Sequence, residues 1–402
     1  MAVTTIPTAG ITDDAVSTAK IADDAVTTAK TSYSAFPFRN LIINGDMSIA
    51  QRGTSTTGVT NASGYYACDR WLFAEEGFQT PAFTISQTTD VPSGQGFVNS
   101  FKIDCTTADT SLSADNLGAI QQRIEGQNLQ HLKFGTSSAE STTLSFWVKS
   151  TKTGTYQVNM RNQDNASMFS QTYTISSSDT WQKVTMTFTG DTGNAFSNDN
   201  GESIRLEWLL YVGTNYTSGT FASTWSDNLN NSARGVNHGV NFADSTSNEW
   251  YITGVQLEVC TTASDFEFLP HDVNMQRCMR YLQHTPFITG ANSMTAPTNE
   301  GIEIMGARHK FADVHGFRSQ TITHYVPMRT QPTITFYNPA NSGTTGQFRL
   351  YDKDGNTQNF SGFTQLWDRY GFNMGGYTGV SVGTAGDTVW ILGMHWKADA
   401  EL

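Results

Sequence analysis

The segment Trp250–Gln283 constrains the fold of this 402-residue chain most, because a strand, a turn and a helix follow one another there. Alternating apolar and mixed residues predict an extended strand. The residues expected on its apolar face are Tyr251, Thr253, Val255, Leu257 and Val259. After Pro270, apolar residues at three- and four-residue spacing predict a helix from Asp272 to Gln283, with Asp272 capping its first turn. The segment therefore closes one β-rich body and leads into another.

Short alternating runs fill residues 37–270, and clusters of Gly, Asn, Asp and Ser separate them. This pattern predicts a mainly β chain whose first large body is a jelly-roll β-sandwich. The residues expected to line its two inner faces are Phe146, Val148, Val184, Met186, Phe188, Leu206, Trp208 and Leu210.

Residues 286–402 predict a second β-rich domain, with strands at Thr333–Tyr337, Gly346–Tyr351 and Val389–Trp396. Between the strands lies a glycine-punctuated aromatic stretch, where flat rings can meet a ligand or pack in a core or trimer interface. The candidate ligand contacts in this stretch are Trp367, Arg369, Tyr370 and Tyr377.

A decapeptide repeat occupies residues 11–30, and its two copies, ITDDAVSTAK and IADDAVTTAK, are identical at eight of ten positions. A lone helix of this length is marginal in water, so the weak apolar stripe favours association with identical neighbours. A disordered acidic leader is the alternative. If the repeat attaches the chain to a larger assembly, the candidate attachment residues are Ile11, Val16, Ile21 and Val26.

The composition argues against several kinds of partner. With 24 basic and 36 acidic residues, the net charge of -12 opposes binding to nucleic acid. No run approaches the roughly 20 apolar residues of a membrane helix, and the first ten residues lack a secretion signal, so we expect assembly in the cytosol. The four cysteines form no CxxC pair, which favours buried free thiols over a zinc site.

The residue patterns point to no catalytic, cofactor or metal site. Asp352–Asn356 begins like a calcium loop, but its glycine comes too early, so a turn is the simpler interpretation. His309, His315 and His324 have no metalloprotease spacing.

Carboxylate pairs and loop aromatics leave two further alternatives. Glu300 with Glu303, or Asp265 with Glu267, would suit glycoside hydrolysis only at the right separation, and a structural turn is the simpler account of the second pair. In the loop 211–248, Trp225 and Phe242 fit either sugar stacking or packing against the sandwich.

Three spaced motifs resemble the signature of tailed-phage tail-fibre proteins: TGVQLE at 253–258, DFEFLP at 265–270 and QRCMRY at 276–281. NLIINGD at 40–46, with QRG and DRW further on, resembles the start of that family, and VPMR with the final DAEL fits its end. The chain departs from the pattern at Cys260 and Leu269. The sandwich pattern is also similar to carbohydrate-binding modules.

The resemblance implies a homotrimeric virion protein, assembled in the host cytoplasm, rather than an enzyme. Residues 1–36 would attach to other phage tail proteins such as an adaptor, nozzle or hub. Residues 37–270 would form the sandwich, 271–285 a connecting helix, and 286–402 a domain that binds host surface polysaccharide or lipopolysaccharide. The candidate trimer contacts on the helix are Met275, Met279 and Leu282. A head fibre or decoration protein and a fibre with depolymerase activity are the alternatives.

Overall fold

A computed structural model describes a large part of the chain. The described residues are 38–78, 80–227, 231–285, 305–307, 316–318, 321–337, 346–351, 357–361, 363–377, 389–391 and 395–402. The decapeptide repeat with Ile11, Val16, Ile21 and Val26 lies outside them, as do Asp352–Asn356, His309, His315, Glu300 and Glu303.

The first body is a β-sandwich. Its strands are β1 (Ser55–Val59), β2 (Gly64–Tyr65), β3 (Leu72–Glu76), β4 (Ala82–Thr88), β5 (Ser100–Thr107), β6 (Leu117–Glu125), β7 (Thr142–Ser150), β8 (Gly154–Asn162), β9 (Ser167–Ile175), β10 (Gln182–Phe188), β11 (Glu202–Val212) and β12 (Glu249–Val259). They form two six-stranded antiparallel sheets, in the orders β1-β4-β5-β12-β7-β10 and β2-β3-β6-β11-β8-β9. Short 3-10 turns lie at Gly126–Asn128, Gln130–Leu132, Thr214–Tyr216, Asn231–Ala233 and Phe242–Asp244.

The core between the sheets contains every residue that the alternating pattern places on the inner faces, from Phe146 to Leu210. Large rings fill its centre: the Trp208 ring lies 5.6 Å from that of Trp71 and 5.8 Å from that of Phe146, centroid to centroid. The prediction of a mainly β chain with a jelly-roll sandwich is confirmed.

Strand β12 corrects one detail of that prediction. Its pairing with β7 shifts register between Thr253 and Gln256, a bulge at which Gly254 adopts a φ of +61°. The bulge reverses the alternation, so Ile252 and Val255 both face the core. Tyr251 and Thr253 therefore do not share a face with Val255, as strict alternation would require.

The connecting helix α1 (His271–Met279) is shorter than expected. Pro270 takes the N-cap position and Asp272 lies within the first turn, so Asp272 is not the cap. Leu282 lies beyond the helix in a strand and is only 1% exposed within its own chain. It therefore cannot extend a helical contact face, which corrects one of the three expected trimer contacts.

Beyond α1 the described elements are again mainly strands. They are β13 (Leu282–His284), β14 (Met305–Ala307), β15 (Gly316–Arg318), β16 (Ile322–Thr323), β17 (Thr333–Tyr337), β18 (Gln347–Tyr351), β19 (Thr357–Ser361), β20 (Phe363–Trp367), β21 (Gly371–Tyr377), β22 (Val389–Ile391) and β23 (His395–Asp399). The first of their sheets has the order β13-β23-β17. The second is β14-β22-β18-β19, and the third joins β15, β21 and β16, with β20 also paired to β21.

A buried carboxylate connects α1 to the sandwich. Glu125, at the end of β6, is completely buried and accepts hydrogen bonds from Arg280 Nε at 2.8 Å and Arg280 Nη2 at 2.7 Å. The Tyr281 hydroxyl also donates to it. Burial alone would raise the pKa of Glu125, but the hydrogen bonds from Arg280 and Tyr281 outweigh burial and lower that pKa.

The same carboxylate predicts a pH-dependent loss of stability. Replacing Glu125 with Gln should lower the free energy of unfolding at pH 7 by about 3–5 kcal/mol, because Arg280 keeps its charge without a partner. The carboxylate stabilises the fold above its unfolded pKa of 4.5, and that stabilisation is lost as pH falls through the lower folded pKa. Urea unfolding at pH 7 and at pH 3 should therefore show the variant approaching the original chain at the lower pH. An equal gap at both pH values would contradict this account.

Candidate functional site

The turn between β20 and β21 is fixed by its own hydrogen bonds. Asp368 Oδ1 accepts the backbone N–H of Tyr370 at 2.7 Å and that of Gly371 at 3.1 Å. The Asp368 N–H in turn donates to the Gly371 carbonyl at 2.9 Å. An Asp that bonds the backbone two and three residues ahead closes a tight turn, which holds Arg369 and Tyr370 at its tip.

Arg369 and Tyr370 form a stacked pair at this tip. The guanidinium carbon of Arg369 lies 4.8 Å from the ring centroid of Tyr370, and Nη2 donates to the Tyr370 hydroxyl at 2.8 Å. The Tyr370 side chain is nevertheless 52% exposed. The pair thus presents an aromatic ring whose position is held by a cation.

A second exposed tyrosine lies on the neighbouring segment. The His324 N–H donates to the Tyr370 carbonyl at 2.8 Å, and the next residue, Tyr325, is 66% exposed. The Tyr325 N–H donates to the side chain of Gln283 at 2.8 Å, which ties this segment to β13. We call Tyr325, Arg369 and Tyr370 the tyrosine patch.

The structure separates the four glycan contacts that the sequence suggests. Arg369 and Tyr370 are adjacent in the tyrosine patch, and the backbone of Trp367 pairs with Phe372 beside the same turn. Tyr377 pairs with Gly316 at the opposite end of β21. Sequence reasoning missed Tyr325, because one tyrosine beside the VPMR motif carries no pattern that reports its exposure.

A second aromatic surface lies on the outer face of the sheet that contains β12. Cross-strand neighbours there place Lys102, Tyr251 and Lys149 side by side, with Trp181 beyond them. The Lys149 Nζ lies 4.4 Å from the Tyr251 ring centroid and 5.9 Å from that of Trp181. The half-buried Trp147 occupies the same face opposite Thr253. We call Lys102, Tyr251, Lys149 and Trp181 the aromatic row.

The charges of the aromatic row are paired within the chain. Lys149 Nζ lies 2.6 Å from Asp90 and 2.7 Å from Asp179, while Lys102 Nζ lies 2.7 Å from Glu249. Burial lowers the pKa of Lys149, but hydrogen bonds to Asp179 and Asp90 outweigh burial and raise it overall. Both lysines are thus engaged in ion pairs at the sheet surface. The aromatic row therefore leaves fewer N–H donors for a ligand than the tyrosine patch does. Sequence reasoning missed it because the bulge at Gly254 decides which residues face outward.

The aromatics of the loop 211–248 pack inward. Phe242 has no exposed side-chain surface and lies in the core. The Trp225 ring meets that of Phe134 edge-on at 5.5 Å, and its Nε1 donates to the Thr189 carbonyl at 2.6 Å. These contacts support the packing interpretation of both residues over the sugar-stacking one.

The described residues show neither a metal cluster nor a membrane helix. They contain no group of three or more His, Cys, Asp or Glu side chains arranged to hold one metal ion. Within the same residues, no helix combines the length and apolar character needed to span a membrane. Glu267 accepts the backbone N–H groups of Phe38 at 2.7 Å and Asn40 at 2.9 Å, so its carboxylate has a structural role and ties this segment to the start of the described chain.

The four cysteines are free thiols, with Cys68, Cys105 and Cys278 buried and Cys260 half-buried. Burial raises the pKa of Cys105 to about 11. The thiols therefore stay protonated at neutral pH, as expected of packing residues.

Comparison with known proteins gives matches to solved structures alone. No protein-family model matches the chain. No curated protein matches it either. One similar structure is the enzymatically active domain of tailspike protein 4 of bacteriophage CBA120, with 15% identity over 56% of this chain and a TM-score of 0.29. The match spans only 22% of that tailspike chain.

Carbohydrate-binding modules are also among the similar structures. A CBM4 structure has 12% identity over 55% of this chain and 99% of its own, with a TM-score of 0.26. A family 11 module from Clostridium thermocellum, in complex with a β-1,3-1,4-mixed-linked tetrasaccharide, has 7% identity over 52% of this chain and 99% of its own, also with a TM-score of 0.26. The sandwich assignment itself rests on the strand pairing described above.

The packing interpretation of the loop aromatics predicts a large stability effect. Replacing Phe242 with Ala should lower the free energy of unfolding by about 3–5 kcal/mol, because it leaves a cavity in the core. Phe78 is 81% exposed, so its replacement by Ala is the matched control and should cost less than about 0.5 kcal/mol. Denaturant unfolding measures both. Equal small effects would show that Phe242 is not a core residue.

Proposed function

We propose that this chain is a phage tail fibre, a trimeric virion protein that attaches to the tail through its N-terminal segment and recognises glycans on the host cell surface. The observation that carries the proposal is the tyrosine patch. It holds two largely exposed tyrosines: Tyr370, 52% exposed, has its ring beside the guanidinium of Arg369, and Tyr325, 66% exposed, lies on the adjoining segment.

The chemistry of the patch suits a sugar. Exposed aromatic rings pack against the C–H faces of pyranose rings, and neighbouring N–H groups donate to hydroxyl oxygens. Arg369 donates one N–H to the Tyr370 hydroxyl and forms no ion pair with a described carboxylate. Its remaining donors are therefore available to a ligand.

Several copies of the tyrosine patch that bind together would give the fibre its affinity for the host surface. A patch of three side chains binds a sugar only weakly, but three copies in one fibre raise the avidity by roughly two to four orders of magnitude when they engage together. The decapeptide repeat, which favours association with identical neighbours, supports this arrangement. The tail-fibre motifs at 253–258, 265–270 and 276–281 support the same class of protein.

We propose a binding role rather than a catalytic one. Glu267 is engaged by two backbone N–H groups, so it is poorly placed to act as an acid or base. Attachment to the tail rather than the head is part of the proposal, and immunogold labelling of virions distinguishes the two positions.

If the tyrosine patch binds the host surface, substitutions within it should weaken adsorption. Replacing Tyr325 and Tyr370 together with Ala should reduce binding of the full chain to host cells by at least about tenfold, because stacking on both rings is lost. Both side chains are exposed, so the unfolding midpoint should stay the same. The exposed Phe78, replaced by Ala, is the matched control. Full adsorption by the double variant would remove the patch from the account.

Trimer assembly through α1 gives a separate prediction. Met279 is half-buried on the helix, whereas Met275 already packs near Ile43 and Ile49 of its own chain. Replacing Met279 with Asp should therefore reduce the trimer to monomers in light scattering, because a charge would enter the three-helix contact. Gln276 is exposed, and its replacement by Asp is the control. A trimer mass that survives the Met279 substitution would exclude assembly through this helix.

A further inference from the structure

An open cleft of about 490 Å³ lies where α1 meets the start of the described chain and the 3-10 turns after β6. Its lining includes Phe38 and Leu41 on one side, and Gln127, Asn128 and His131 on another. Arg277 and Arg280 line it from the helix end. The cleft thus combines apolar surface, amide groups and two cations, and it is separate from the tyrosine patch.

The two arginines differ in their partners. Arg280 is neutralised by the carboxylate of Glu125 at 2.7 Å. Arg277 forms no ion pair with any described carboxylate, and its best hydrogen bond is a long one, from Nη2 to the Asn40 carbonyl at 3.3 Å. Its Nη1 is enclosed and has no acceptor among the described residues. Arg277 is therefore a largely buried cation with no direct ion pair among the described residues, and the charge of Glu267 favours it only from a greater distance.

Such a cation is costly to the fold. Burial lowers the pKa of Arg277, since the charged form loses hydration that the neighbouring groups, Glu267 among them, replace only in part. An uncompensated buried charge destabilises a fold, so a neutral side chain of similar size in place of Arg277 should leave stability unchanged or improve it. A guanidinium retained at such a place fits the binding of an anion that enters from the cleft.

The other lining groups restrict what that anion is. The Phe38 ring is 59% exposed, and Leu41 adds apolar surface beside it. The Asn128 amide is exposed and makes no side-chain hydrogen bond within the described part of the chain, so it is open to a hydroxyl group. A bare inorganic anion would use none of these groups. A sugar ring that carries a carboxylate would use all of them.

We propose that this cleft binds the carboxylate and ring of an acidic monosaccharide unit, with Arg277 holding the carboxylate. The apolar side contacts the face of the sugar ring, and the Asn128 amide bonds a hydroxyl. This second site would let the chain distinguish acidic from neutral surface polysaccharides. The cleft shares no residue with the tyrosine patch, so substitutions in one site should leave ligand binding at the other unchanged.

Titration of the full chain with D-glucuronate, D-glucose and acetate at pH 7, followed by calorimetry or ligand-observed NMR, tests the proposal. D-glucuronate should bind at least tenfold more tightly than either D-glucose or acetate. Equal binding of D-glucuronate and D-glucose would overturn the role of the carboxylate. Equal binding of D-glucuronate and acetate would reduce the cleft to a simple anion site and overturn the role of the sugar ring.

Variants then assign the site. Arg277→Gln should lose D-glucuronate binding at least tenfold while its unfolding midpoint is unchanged or raised. Arg205→Gln removes an arginine that is ion-paired to Glu202 elsewhere on the sandwich and should bind D-glucuronate normally. A fall of many degrees in the midpoint of Arg277→Gln would make Arg277 a structural residue and contradict the proposal.

The exposed Asn128 provides a variant whose folding is not in question. Asn128→Ala should weaken D-glucuronate binding severalfold and reduce the rise in unfolding midpoint that D-glucuronate gives the original chain. Unaltered D-glucuronate binding by Asn128→Ala and Arg277→Gln together would place the ligand elsewhere.

Discussion

The buried carboxylate of Glu125 is the interaction on which the arrangement of the molecule depends. It ends a strand in one sheet of the sandwich and accepts hydrogen bonds from Arg280 and Tyr281, which directly follow α1. Because a fully buried carboxylate must be paired, the end of the helix can sit in few other positions.

The constraint continues from Tyr281 to the last strand. The guanidinium of Arg70 lies 3.5 Å from the ring centroid of Tyr281 and pairs with Glu401. Arg52 also reaches Glu401, at 3.2 Å. Burial lowers the pKa of Arg70, but the charge and hydrogen bond of Glu401 together with Tyr281 and Tyr65 outweigh burial and raise that pKa overall. The sheet that contains β13 and β23 is thus joined to the sandwich by buried ion pairs. The hydrogen bond from the Tyr325 N–H to the side chain of Gln283 places the tyrosine patch beside this sheet.

The sequence predicts much of this fold and less of the site. Period-two alternation is a local property, so it identifies the core residues from Phe146 to Leu210 correctly. An isolated glycine inside a strand pattern, such as Gly254, suggests either a bulge or a close backbone approach, but which of the two forms, and where the register shifts, depends on the pairing with β7. The early end of α1 has a similar cause, because β13 pairs with β23, about 115 residues later, and that pairing draws Leu282 out of the helix.

The candidate site follows the same division. Arg369 and Tyr370 could be predicted from the sequence, because an aromatic stretch interrupted by glycines is a local signal. Tyr325 and Arg277 could not be predicted from the sequence, because the exposure of Tyr325 and the lack of a direct ion pair at Arg277 among the described residues depend on residues distant in the chain. The segments of Tyr325 and Tyr370 are 45 residues apart and meet through backbone bonds, from the His324 N–H to the Tyr370 carbonyl and from the Met328 N–H to the Arg369 carbonyl.

Hydrogen–deuterium exchange on the full chain, with and without surface polysaccharide from cells that the chain binds, tests the central claim most directly. The account predicts slower amide exchange at residues 321–329 and 368–372, where the polysaccharide would cover the tyrosine patch. Amide exchange in β12, which carries part of the aromatic row, should be unchanged. Protection confined to the sandwich, or no protection in either segment, would contradict recognition through the patch.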